Sequence, residues 1–240
     1  MPRSSHHQPR GHVPVYLRLA RVAQSLSDTI KEIHRACDLV EEAADAGTLI
    51  VDIQDSAREL GRDSIDMPMH SQWERALCRL EGVRAPSVCV IGGSCYGLML
   101  DVMLCTDYRI ATPRLELGLA RVADALWPGM AIHRLATQLG AAQARALVLF
   151  DMPVDADKAC RLGLVHEVGD EPLVRGEQFA ASLAMSRPLD TSVRRQLLLE
   201  AATATHEAAL GAHMAACHRA LLREPRPVED PMPLATLENS

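Results

Sequence analysis

Aromatic side chains are scarce: two Trp, three Tyr and two Phe make up 3% of the chain. That disfavours an aromatic-rich β-sandwich. Hydrophobic residues nevertheless reach 48%, so Ala, Leu, Val and Met must fill the interior, which favours closely packed helices and parallel strands. A basic tract is also missing. The formal net charge is −6 and the pI about 5.9, so nucleic acid is not an expected partner. An anionic ligand would need a local cluster of arginines. Seven cysteines form no CxxC pair, which fits reduced thiols in a cytoplasm better than a disulfide framework. No apolar run approaches the roughly 20 residues that cross a bilayer, so no membrane partner is expected. The opening MPRSSHHQPRGHVP carries no apolar run either, and no secretory leader is expected.

What the chain does have is organised around Val88–Pro128, VCVIGGSCYGLMLDVMLCTDYRIATPRLELGLARVADALWP. Val88 to Ile91 reads as a buried strand. Gly92, Gly93 and Gly97 make a flexible turn, and LMLDVMLC follows at helical spacing. A strand, a glycine turn and a helix N-terminus leave backbone N–H groups unpaired at the positive end of the helix dipole. Such a place suits an anion or a carbonyl oxygen gaining negative charge. Asp101 sets one carboxylate beside it.

The rest of the chain alternates strand and helix. Val15–Leu19 reads as a strand. A helix capped at Ser25 or Ser27 runs to about Ala46, with Ile30, Ile33, Cys37 and Val40 on one face. Thr48–Ile53 is a strand buried on both sides, and Gln54–Pro68 a loop. His70–Leu80 is a helix with Trp73, Leu77 and Leu80 inward. Tyr108–Ala111 and Leu115–Leu119 are strands. Trp127-Pro128-Gly129 opens a helix to Gly140, and Ala141–Leu149 is helical again. A short helix over Ala156–Leu162 stops at Gly163, before a strand over Leu164–Val168. Helix dominates from Pro172 to Arg223. This pattern predicts an α/β core with largely parallel pairing. The expected division is a tail over 1–13, a core over 14–188, a helical segment for subunit packing or lid formation over 189–223, and a proline-rich tail over 224–240.

Three segments carry a family resemblance: IGGSCYGLMLDVMLCTDYRIAT, LWPGMAIHRLATQLG and ACRLGLVHEV. They resemble, in order and spacing, the enoyl-CoA hydratase/isomerase, or crotonase, superfamily. CTDYRIAT is close to its Cys-Asp-x-Arg-Ile-Ala, and Ala159 with Gly163-Leu164-Val165 matches its Ala-x-x-x-Gly-Leu-Val. The resemblance implies a spiral of repeated ββα units with a C-terminal helical appendage. It also implies a CoA thioester as substrate, no tightly bound cofactor or metal, and assembly as a homotrimer or dimer of trimers. WERALCRLE, WPGMAIHRLA, RRQLLLEAAT and GAHMAACHRAL further resemble the hydratase-like proteins of 3,5-dihydroxyphenylglycine biosynthesis in glycopeptide-antibiotic producers. That likeness implies an acyl- or polyketide-CoA substrate. Its implied partners are a type III polyketide synthase and a second hydratase-like protein.

Site residues follow from the resemblance. The two backbone N–H groups of the implied oxyanion hole map to Leu98 and, through Leu60-Gly61-Arg62-Asp63, to Leu60. Such prealigned donors are worth roughly 2.7–4 kcal/mol each to a developing enolate. The first hydratase glutamate maps to Asp101, whose stem is shorter by about 1.5 Å. The second maps to Arg121, which cannot serve as a base near neutral pH. Simple two-carboxylate hydration is therefore not expected, whereas one carboxylate can still shuttle a proton in an aromatising dehydration. Asp124 is a second candidate acid. Gly97, Tyr96, Trp127 and Gly129 are candidates for the pocket wall, and Arg58, Arg62 and Arg114 for the CoA phosphates.

Other readings stay open. Ser94 or Cys95 on the strand-turn-helix invites a nucleophile elbow, but Tyr96 stands where G-x-S-x-G needs glycine. His6, His7 and His12, or His213, Cys217 and His218, lack the further ligands a metal site requires; Leu210, Met214, Cys217 and Leu221 instead trace an apolar stripe. The other functional class is a non-catalytic subunit that binds and stimulates the polyketide synthase.

Overall fold

The computed structural model describes residues 13–19, 25–43, 47–60, 66–185, 188–201 and 204–222. His6, His7, His12, the Gly61-Arg62-Asp63 part of the proposed loop and the 224–240 tail lie outside the described residues. The element order is β1 (Val15–Leu19), α1 (Leu26–Glu42), β2 (Leu49–Ile53), α2 (Met67–Gly82), β3 (Ser87–Ile91), β4 (Ser94–Tyr96) and α3 (Leu98–Leu104). Then come β5 (Tyr108–Ala111), β6 (Glu116–Gly118), β7 (Arg121–Val122), β8 (Ala125–Leu126) and α4 (Ala131–Phe150). The chain closes with β9 (Val154–Asp155), α5 (Ala156–Arg161), β10 (Glu167–Val168), α6 (Pro172–Met185), α7 (Pro188–Ala201) and α8 (His206–Leu221).

A five-stranded sheet in the order β1-β2-β3-β5-β10 forms the centre, and all its pairings are parallel. Its middle strands β2 and β3 are buried along their whole length and mostly apolar because both faces are covered. Leu49, Val51, Ile53, Cys89 and Ile91 enter the main core with Ile33, Cys37, Trp73 and Leu77 of α1 and α2. Ile50, Val88, Val90 and Ile110 face the other way, toward Leu173, Phe179 and Ala180 of α6. Gly176 lets α6 approach that face: a Cβ there would lie 2.5 Å from Val90 Cγ1.

Several expected boundaries move, for local reasons. The loop after β2 ends at Asp66, whose side chain caps the N–H of Met69, and Pro68 is tolerated in the first helical turn. The Gly92–Gly97 stretch is not one turn. Ser94–Tyr96 pairs in parallel with Glu116–Gly118, and β6 in turn pairs antiparallel with β9. A β7–β8 hairpin, unforeseen from the alternation, turns through Ala123 at φ 52°. Gly140 interrupts α4 at φ 76°, ψ 152°. The last strand is only Glu167–Val168, since Gly163 at φ 73° and the bonds of Leu164 and Val165 N–H to Ala159 O close α5 first.

The CTDYRIAT motif is structural cement. The buried Arg109 guanidinium donates to the carbonyls of Met103, Leu104, Thr106 and Leu164 and to Gln138. It thus closes the C-terminal end of α3, where carbonyls lack helical partners. Asp107 accepts from the N–H and hydroxyl of Ser87 and, at 2.7 Å, from Nε of Arg195 on α7. Through this buried Arg195, α7 docks back onto the core.

Candidate active site

The site is built from the β4–α3 junction. Gly97 takes φ 59°, ψ −123°, a region that L side chains avoid. Its N–H bonds Gly118 O at 3.2 Å, and a Cβ would come within 3.1 Å of Ala120 Cβ. This conformation starts α3 at Leu98 with no side-chain cap, and the Leu98 N–H finds no acceptor among the described residues. One turn on, Asp101 N–H bonds Gly97 O at 3.2 Å, and the Asp101 side chain is buried, 3% exposed.

Asp101 points into the contact between α2 and the start of α4. Arg134 of α4, 6% exposed, holds Glu74 of α2 at 3.0 Å and reaches only to 3.7 Å from Asp101. Glu81 stands 3.9 Å from the same guanidinium. Burial, and then the charge of Glu74, push the Asp101 carboxyl up to about 7, against the pull of Arg134, the Trp73 indole N–H and the Ala131 amide. Trp73 Nε1 is near enough to favour the carboxylate, yet neither it nor Asp101 Oδ1 completes a well-formed hydrogen bond. Glu74 Oε1 and Arg134 Nε and Nη1 are also buried without one, as are His70 Nδ1 of α2 and the Nε1 of Trp127, which packs on His70. Unmade bonds of this kind cost roughly 1–3 kcal/mol each in a dry interior. The arrangement is that of a polar site rather than of core packing.

Comparisons with known proteins give the family and the fold. The chain is 38% identical over 196 residues to an enoyl-CoA hydratase of Amycolatopsis orientalis, covering 82% of this chain and 90% of that one. It belongs to the enoyl-CoA hydratase/isomerase, or crotonase, superfamily. No family model matches the chain. Solved structures agree on the fold. An enoyl-CoA hydratase/isomerase family protein of Silicibacter pomeroyi superposes with a TM-score of 0.76 at 16% identity, over 88% of this chain and 96% of that one. An enoyl-CoA hydratase of Bacillus anthracis gives 0.74 at 19% identity, over 87% of each.

In this crotonase-fold chain the candidate residues do not all assemble. Leu98 and Asp101 lie one turn apart at the head of α3. Trp127 packs edge-on against His70, 5.4 Å between ring centroids at 85°, and Gly129 leaves room for its indole. The hole's other expected donor is committed: Leu60 N–H bonds Arg121 O at 2.7 Å. Arg121 does not pair with Asp101; its guanidinium bonds Asp151 at 2.8 Å. Arg58 is likewise held by Asp151, by Leu119 O and by the Tyr96 ring face, so its charge is not offered to a phosphate. The Tyr96 phenol bonds Glu116 at 2.7 Å, and burial with that bond pushes it up to about 12. Asp124 sits exposed at the tip of the β7–β8 hairpin. Arg114 is exposed, but its pocket holds the carboxylates Asp52, Asp170 and Glu171, which disfavour phosphate. Arg62 lies outside the described residues.

The rival nucleophiles are also placed. Burial raises the Cys95 thiol well above its ordinary range, so it is not an accessible thiolate. The Ser94 hydroxyl bonds Asp55 and the Ser56 carbonyl. Among the described residues no group of three or more His, Cys, Asp or Glu could hold a metal, and no helix is long and apolar enough to cross a membrane. Glu74 and Arg134 escaped the reading of the sequence. Their only local signal is a charge beside an inward helix position, next to Trp73 and Leu135.

Proposed function

We propose that the protein is a CoA-thioester hydro-lyase of the dehydratase kind. It would help a type III polyketide synthase to make 3,5-dihydroxyphenylacetyl-CoA for antibiotic biosynthesis. The observation that carries this reading is the pairing of an unspent Leu98 amide with the buried, proton-exchangeable Asp101 one helical turn away. The thioester oxygen accepts from Leu98 N–H at the positive end of α3, which stabilises the enolate. Asp101, poised near neutral pH, carries a proton between the ring carbon and the departing hydroxyl. Aromatisation supplies the driving force, so a second free carboxylate at position 121 is dispensable. The motif likenesses to the 3,5-dihydroxyphenylglycine proteins support the substrate, and the exposed apolar stripe of α8 supports assembly as a homotrimer or dimer of trimers.

A second reading is favoured by one observation. Leu60 N–H is spent on Arg121 O, and Asp151 locks Arg121 and Arg58, as in a hole no longer used. The protein would then be a non-catalytic crotonase-fold subunit that binds and stimulates the synthase. Single-turnover formation of 3,5-dihydroxyphenylacetyl-CoA by the reconstituted pair separates the two. Asp101→Asn is expected to lower the rate by about 10²–10⁴-fold; stimulation undiminished in Asp101→Asn would favour the accessory subunit.

A further inference from the structure

Arg134 is shared unequally. It lies between two carboxylates on different helices and binds the one on α2 at 3.0 Å while standing 3.7 Å from the one on α3. One oxygen of each, Glu74 Oε1 and Asp101 Oδ1, is buried without a hydrogen bond. We infer that Glu74 is the second carboxylate of the site. By holding Arg134 away from Asp101 it positions the guanidinium and keeps Asp101 able to take and release a proton. This inference rests on Asp101 being the proton carrier.

The physical reason is electrostatic competition in a poorly solvated interior. A guanidinium in full contact with Asp101 would fix it as a carboxylate, lowering its pKa by about 1–3 units. Glu74 prevents that twice, by drawing the guanidinium to itself and by adding a like charge. The groups facing this pair are Glu74 and Glu81 of α2, Arg134 of α4, and Cys105 at the end of α3; the last bears a thiol held protonated by burial. His70 of α2, one helical turn before Glu74, has a buried Nδ1 without a hydrogen bond. Glu81 is the more distant carboxylate, at 3.9 Å from Nε, so it cannot replace Glu74 on the same guanidinium edge.

The test reads the proton on Asp101 directly. The infrared band of a protonated carboxyl that disappears in Asp101→Asn is titrated in the intact protein and in Glu74→Gln. Glu74→Gln is expected to move the midpoint down by about one unit or more and to move the acidic limb of kcat/KM with it. A midpoint that stays in place or rises overturns the inference. If Glu74→Gln does not fold, Glu74→Asp withdraws the carboxylate by one carbon, and a smaller downward shift is expected; no shift there overturns it equally. If Asp101→Asn keeps full activity while the Glu74→Gln shift occurs, the proton-carrier role fails and the electrostatic coupling stands.

Discussion

At the scale of single residues, Asp101 dominates. A carboxyl raised by burial to about 7 from 3.8 is still protonated in the folded state at pH values where the unfolded chain has released its proton. Folding then binds a proton, so stability is full below the unfolded value and is lost as pH rises through about 7. Asp101→Asn removes that penalty. Its unfolding free energy relative to the parent is expected to improve by on the order of 2 kcal/mol between pH 5 and pH 8. Denaturant titrations at the two pH values measure it; a difference that does not change with pH would contradict the raised carboxyl. The same residue shows what spacing can and cannot reveal. That an acid follows the glycine turn by one helical turn is local information. That this acid faces Glu74 and Arg134 depends on two helices meeting.

At the scale of elements, the proposed chemistry falls at the junction of β4 and α3. Gly97 is held at positive φ by the parallel pairing of Ser94–Tyr96 with Glu116–Gly118 and by its own bond to Gly118 O. Gly97→Ala adds a methyl 3.1 Å from Ala120 Cβ in a conformation alanine resists. We expect a loss of about 1–3 kcal/mol of stability and a larger fall in kcat than in substrate affinity, because the Leu98 amide turns away from its target. Thermal unfolding and steady-state kinetics together check this; an unchanged Tm would mean that the junction tolerates a side chain. The core elements were largely legible: β1, β3 and β5, the inward face of α2 and the parallel pairing follow from apolar runs and helical periodicity. Short elements were not. A strand of two or three residues such as β7, β8 or β9 is stabilised by its partner rather than by its own pattern.

At the scale of the whole molecule, the C-terminal helices stand out. Leu210, Met214 and Leu221 of α8 are 50%, 60% and 84% exposed, and Cys217 on the same stripe is exposed as well. Each buried apolar side chain of this size would contribute about 1.5–3 kcal/mol on association. We expect the parent protein to assemble through this stripe. A Leu210→Glu/Met214→Glu double variant should run as the 26.2 kDa chain by light scattering. An assembly that survives both charges would place the interface elsewhere.

The amino-acid order alone determined the alternating strands and helices, the glycine junction and the acid beside it, because periodicities of two and 3.6 residues and turn residues act within one element. The family likeness followed from the same local runs. Which backbone amides remain unspent, which arginine each carboxylate obtains, and whether a charge lies buried were decided only by the tertiary structure. Leu60 meets Arg121, and Arg121 and Arg58 meet Asp151, across a fold closed by β6, β7 and the end of α4. Arg134 finds Glu74 sixty residues away. Hydrogen bonds and ion pairs of that span have no spacing rule, since loop closure and packing, not neighbouring residues, bring their partners together.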